Sequence, residues 1–116
     1  MALKKKTPSA QKAASRPPEA GRSAAQEAGW TFLSNHSHVL LLLAQQGNLR
    51  IRDLADRVGI TERAVQKILS DLVAGGVLRR EKVGRRNHYA VHADRALRHP
   101  VEAHCTVADL IAMVRR

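Results

Sequence analysis

Aromatic side chains are scarce in this sequence: Trp30, Phe32 and Tyr89 are the whole set, 3% of 116 residues. That disfavours a β-sandwich, since strands draw on aromatic and β-branched residues while Ala and Leu lead the helix scale. Hydrophobic residues still reach 44%, enough for a modest core of Leu, Val, Ile and Ala. Cysteine is limited to Cys105. A lone thiol excludes an internal disulfide and a thiolate-rich zinc site, and it fits a reducing cytoplasmic setting. Long hydrophobic runs are missing too. The longest, Val39 to Ala44, is far short of the ~20 residues that span a bilayer. No secretory signal pattern is expected. Acids are few: ten Asp and Glu against twenty Lys and Arg, for a net charge of +10. Such an excess attracts polyanions, whether nucleic acid, anionic membrane or acidic protein, and without a spanning segment the membrane is the weakest of the three.

Two regions differ in composition. Residues 1–28 are rich in Ala, Ser, Pro and Lys and lack apolar periodicity, so a disordered basic tail is expected. It serves either as a solubilising arm or as a source of non-specific contacts to phosphates. Residues 29–116 carry the folded unit. Asn35 to Gln46 reads as a helix entered through Ser34 or Asn35 and ended by Gly47-Asn48. Its centre, Val39-Leu40-Leu41-Leu42-Leu43, is apolar all round, so it must be covered on more than one side, by its own domain and by a second copy.

Leu49-Arg50-Ile51 is short and β-leaning. Arg52 to Val58 reads as a helix with Leu54, Ala55 and Val58 inward, and Gly59-Ile60 as a tight turn. Thr61 caps a third helix that runs to about Ala74 and is stopped by Gly75-Gly76. Val77 to Val83 and Asn87 to Val91 are two strands around Val83-Gly84-Arg85-Arg86, where Gly84 supplies a positive φ. His92 to Cys105 is irregular. Thr106 with Asp109 then forms a capping box for a last helix with an apolar stripe at Val107, Leu110, Ile111 and Val114.

The order helix, short strand, helix, tight turn, helix, strand, basic turn, strand is that of a winged helix-turn-helix: mainly α with a small β-wing. On the third helix, Val65, Ile68, Leu69 and Leu72 face the core. Glu62, Arg63, Gln66, Lys67 and Ser70 are left on the opposite face. These residue types read base edges and phosphates, with Arg or Lys to guanine, Gln to adenine and Ser to phosphate. Glu62 favours the helix dipole but repels phosphate, so a purely structural role also fits it. Thr61 and Ser70 are expected to assist on phosphate.

At these residues the chain resembles winged-helix transcriptional regulators of the MarR and ArsR types. LADRVGITERAVQKILSDLVAGGVLRRE followed by GRRNHYAV looks like their helix-turn-helix and wing. The resemblance covers residues 30–92 well and the C-terminal helix loosely. It implies a recognition helix at 62–74 in the major groove of double-stranded DNA. It also implies a wing at 79–88 whose Arg79, Arg80, Arg85 and Arg86, with Asn87 and His88, meet the flanking backbone or minor groove. A repressor acting in the bacterial cytoplasm, on the nucleoid, is the function implied.

A homodimer is the second expectation. Its interface residues are Trp30, Phe32, Leu33, Leu41, Val107, Leu110, Ile111 and Val114, and any small-molecule effector would bind between copies. The competing arrangement folds the C-terminal helix back on its own first helix. No cofactor is expected. ArsR-type relatives often sense metals through cysteines near the helix before the recognition helix, and RIRDLADRVG there has neither Cys nor His. His99, His104 and Cys105, with Glu102, are the only group that could supply ligands near an interface, and metal or redox sensing ranks behind plain DNA binding. A protein-interaction module and a non-specific nucleic-acid binder are the alternative classes. An enzyme is not expected, because the sequence offers no paired carboxylates, no phosphate-cradling glycine loop and no nucleophile–base arrangement.

Overall fold

A computed structural model describes residues 29–115. The expected tail at 1–28 lies outside the described residues. Among those described, four helices and one two-stranded antiparallel hairpin form the winged helix-turn-helix arrangement: α1 (Asn35–Gln45), α2 (Ile51–Val58), α3 (Glu62–Ala74), β1 (Leu78–Val83), β2 (Arg86–Val91) and α4 (Val107–Val114). None of these helices is long and apolar enough to cross a membrane.

Local chemistry sets most boundaries. The Ser34 hydroxyl caps α1 by accepting from the Ser37 N–H at 3.3 Å. α2 starts one residue earlier than the sequence suggests, and Leu49-Arg50-Ile51 is not a strand. The Arg50 N–H donates to the Asp53 carboxylate at 3.2 Å, and the Arg50 carbonyl accepts from the Leu54 N–H at 3.0 Å. That local cap outweighs the β preference of a single Ile. Gly59, at φ 85°, ends α2 in the left-handed region that glycine occupies without strain. Thr61 accepts from the Ala64 N–H at 3.0 Å to start α3. At the far end of α3 the Gly76 N–H reaches the Val73 carbonyl and the Val77 N–H reaches the Leu72 carbonyl. That pair is a Schellman motif, with Gly76 at φ 78°.

The core is continuous from α1 to α4. Leu54, Leu69, Leu78, Val39, Val65 and Val107 are its fully buried side chains. The all-apolar α1 is explained within one chain: α2, α3 and β2 pack around it, and Val39, Leu40, Leu41 and Leu43 are buried. Its burial therefore gives no argument for a second copy. The start of the C-terminal helix is tied to the segment that follows the wing. Val107 donates to the Arg95 carbonyl and Ala108 to the Ala93 carbonyl, both at 2.8 Å. An Ala96–Thr106 bridge closes the loop between them. Val107 enters the core and Ile111 packs against it.

In the hairpin, Leu78 pairs with Val91, Arg80 with Tyr89 and Val83 with Arg86. Gly84, at φ 65°, takes the first of the two turn positions, where a type II′ connection needs a positive φ. The second strand of the wing is fixed to the body by two hydrogen bonds to the α1–α2 turn, one from its middle and one from its tip end. The Tyr89 N–H donates to the Gly47 carbonyl at 3.0 Å, and the Arg86 guanidinium donates to the Asn48 carbonyl at 2.9 Å.

Candidate nucleic-acid interface

α3 divides into two faces, as its apolar spacing requires. Val65, Ile68, Leu69 and Leu72 are buried, while Glu62, Arg63, Gln66, Lys67 and Ser70 are exposed. Thr61 is exposed too; its oxygen is engaged as the cap and its O–H remains available to donate. The exposed residues do not all keep free side chains. Lys67 Nζ lies 2.9 Å from Asp71 Oδ1, four residues on along the helix. The other oxygen of Asp71 lies 2.8 Å from His36 Nε2 on α1. Glu62, Arg63, Gln66 and Ser70 have no such partner among the described residues, so their side chains are free on this face.

The Asp71 carboxyl titrates below its ordinary value, first because of the His36 hydrogen bond and then that of Lys67, with burial opposing weakly. A carboxylate with a lowered folded-state pKa stabilises the fold above the ordinary carboxylate range. That contribution disappears as pH falls through the lowered value. Asp71→Asn is therefore expected to flatten the acid limb of the unfolding profile slightly and leave neutral pH nearly unchanged, since exposed pairs contribute little. Urea titrations of both proteins from neutral to acid pH measure this. An acid limb identical to the parent's would show that Asp71 plays no part in acid stability.

The wing's arginines differ in availability. Arg79 Nη2 lies 2.6 Å from Glu81 Oε2, a pairing that offsets its charge locally. Arg80 donates to the Tyr89 hydroxyl at 3.3 Å, its guanidinium 5.8 Å from the centre of the tyrosine ring. Arg86 is held by the Asn48 carbonyl through one nitrogen. Arg85 at the tip is exposed and has no partner among the described residues. Asn87 is exposed, but His88 is half-buried and turned onto the α1–α2 turn: a Cβ at Gly47 would meet its Nε2 at 2.9 Å. His88 thus sits on the wing's inner face and not at its outer surface.

One cleft joins the two parts. A cavity of about 340 Å³ is lined by Glu62 from the start of α3, by Arg86 and Asn87 from the start of β2, and by Asn48, Arg50 and Arg52 from the α1–α2 turn and α2. The first turn of α3 and the tip end of the wing therefore stand on the same side of the molecule. Arg50 and Arg52 were not singled out in the sequence. The available signal was LRIRD, two cations astride Ile51 at a helix start, obscured by reading Leu49 to Ile51 as a strand.

The residues assigned to an interface between copies divide as well. Leu41 and Val107 are buried by their own chain, and Ile111 is half-buried against the core. Leu33 and Leu110 are half-buried, and Val114 is exposed. Trp30 and Phe32 stack edge to face with ring centres 4.9 Å apart, and Phe32 is 92% exposed. Among the described residues, no three His, Cys, Asp or Glu side chains gather where an ion could be held.

Comparison with known families returns a match to the model of the MarR family over residues 31–86. The matched segment holds α1, α2, α3, β1 and the turn into β2, and it supports a winged-helix, DNA-binding transcriptional regulator of that type. The match bears on the MarR half of the resemblance drawn from the sequence and not on the ArsR half. Among curated proteins none matches the chain.

Proposed function

We propose that the chain is a sequence-specific DNA-binding transcriptional regulator that represses by occupying a promoter. α3 lies in the major groove, and the wing lies on the flanking backbone or minor groove. The observation that carries this reading is the cleft: Glu62 at the start of α3 and Arg86 beside the tip of the wing line the same cavity. One duplex can therefore meet both parts. Arg63, Gln66 and Lys67 read bases, and Thr61 and Ser70 hold phosphate. Lys67 exchanges Asp71 for DNA on binding. Arg85 is the wing's free cation.

Two copies acting together suit this role, since two-fold dimers read half-sites about 34–36 Å apart. The exposed Trp30 and Phe32, with Leu33, Leu110 and Val114, supply apolar surface for such pairing. An effector would bind between copies.

Gln66→Ala is expected to relax base choice at one position at a cost of about 1–3 kcal/mol, because its amide is matched to an adenine edge. Arg85→Ala is expected to weaken all sequences alike and to flatten the salt dependence. Fluorescence titration against fragments selected from the source genome tests both. If the two variants bind like the parent, the docking is wrong. If the parent retards no fragment even at low salt, the protein-interaction alternative takes its place.

A further inference from the structure

We infer that the cleft between the α1–α2 turn, α2 and the start of β2 seats a backbone phosphate of the duplex, with Arg50 and Arg52 supplying the charge. The inference rests on the DNA-binding reading above and extends it to residues outside the recognition helix and the wing.

The cleft brings three arginines, Arg50, Arg52 and Arg86, against one acid, Glu62. All four are exposed, so the guanidinium groups are open to an incoming anion. Arg86 is already oriented, because one of its nitrogens is bonded to the Asn48 carbonyl while the others remain free. A cation fixed before binding loses less freedom when it engages phosphate. Asn87 adds an amide donor on the same wall. Below them, Leu49 is buried, so the arginines rise from a fixed floor. Arg52 has no hydrogen bond or ion pair from its side chain among the described residues.

The position also selects the kind of anion. The first turn of α3 forms part of the cleft, so a duplex that receives α3 in its groove brings one strand of its backbone across the opening. Phosphates along that strand are repeated and held in place, whereas a free small anion gains nothing from the neighbouring helix. Glu62 opposes the phosphate from within the cleft, so removing its charge should strengthen binding.

The test is fluorescence anisotropy of the full-length protein with duplex DNA over a range of salt concentrations, using Arg50→Ala/Arg52→Ala, Glu62→Gln and, as a control, Arg57→Ala. Arg57 is exposed on α2 but does not line the cleft. The double variant is expected to bind at least tenfold more weakly at low salt. Its log–log salt slope should be shallower by up to about 0.9 for each phosphate no longer neutralised, with the ranking of DNA sequences unchanged. Glu62→Gln is expected to bind all sequences a few-fold more tightly, a gain that misfolding cannot produce. Arg57→Ala should match the parent.

A double variant with the parent's slope overturns the inference, and so does a Glu62→Gln protein no tighter than the parent. A third arm replaces chloride with inorganic phosphate at equal ionic strength. Inorganic phosphate bound through Arg50 and Arg52 without any weakening of DNA binding would make the cleft a free-anion site and overturn the assignment to DNA. A parent that binds no duplex at all sinks the DNA-binding reading itself, whereas a binding parent with an unaffected double variant sinks only the cleft.

Discussion

Raising salt from roughly 50 to 200 mM is expected to weaken duplex binding about a thousandfold if two copies together neutralise about six phosphates. The number follows from which cations are free, not from the net charge. Arg79 is offset by Glu81 and Lys67 by Asp71, so neither adds a full charge to the interface before DNA arrives. Arg50, Arg52 and Arg85 carry no such partner among the described residues, so each copy neutralises about three phosphates. For two copies the log–log slope is then about −5. A measured slope shallower than about −2 would mean that most of these cations never touch the backbone, and the interface would have to be drawn elsewhere.

Gly47→Ala is expected to cost about 3 kcal/mol of folding stability, the upper part of the range for overpacking, and to weaken DNA binding as well. Gly47 does not need a positive φ; it needs the absence of a side chain. A Cβ there would lie 2.6 Å from the Tyr89 carbonyl oxygen and 2.9 Å from His88 Nε2. The nearer atom is strand backbone, which moves only if the wing moves. Displacement would also break the Tyr89–Gly47 hydrogen bond that seats β2 on the body.

Gly84→Ala is the informative comparison. Its Cβ would meet open space, leaving only the strain of φ 65° at the turn. That variant should lose about 1–2 kcal/mol and keep β2 seated on the body. Urea unfolding of both variants, with anisotropy on the same samples, separates crowding against the middle of β2 from strain at the tip. Equal stability of Gly47→Ala and the parent would show that the wing is not seated as described.

What could be read in the sequence was whatever is encoded locally. Thr61, the apolar spacing of Val65, Ile68, Leu69 and Leu72, and Gly75-Gly76 announce α3 within one stretch of chain, and its boundaries match the structure. The capping box of Thr106 and Asp109 is legible for the same reason. Leu49 to Ile51 failed because a β-leaning tripeptide was weighed without the Asp53 carboxylate that caps the following helix. The attachment of the wing could not be read at all. Arg86 and Asn48 are 38 residues apart, and no pattern in either segment points to the other. The same holds for Asp71, whose partner His36 lies on a different helix. The polar face of α3 was therefore expected, but which of its cations are free emerged only from tertiary structure.

The hairpin has a second liability that its charges address. A two-stranded sheet leaves backbone donors and acceptors unpaired along its margins, and such margins recruit strands from other molecules. β2 rests partly on Gly47, but among the described residues no third strand pairs with the outer side of β1. Arg79, Arg80 and Lys82 crowd that strand with like charge, which discourages a second molecule from zipping onto it. The basic residues thus guard against aggregation whether or not DNA is present. Removing them all to obtain a DNA-blind protein would expose a sticky rim, and single replacements at the tip are the sounder route.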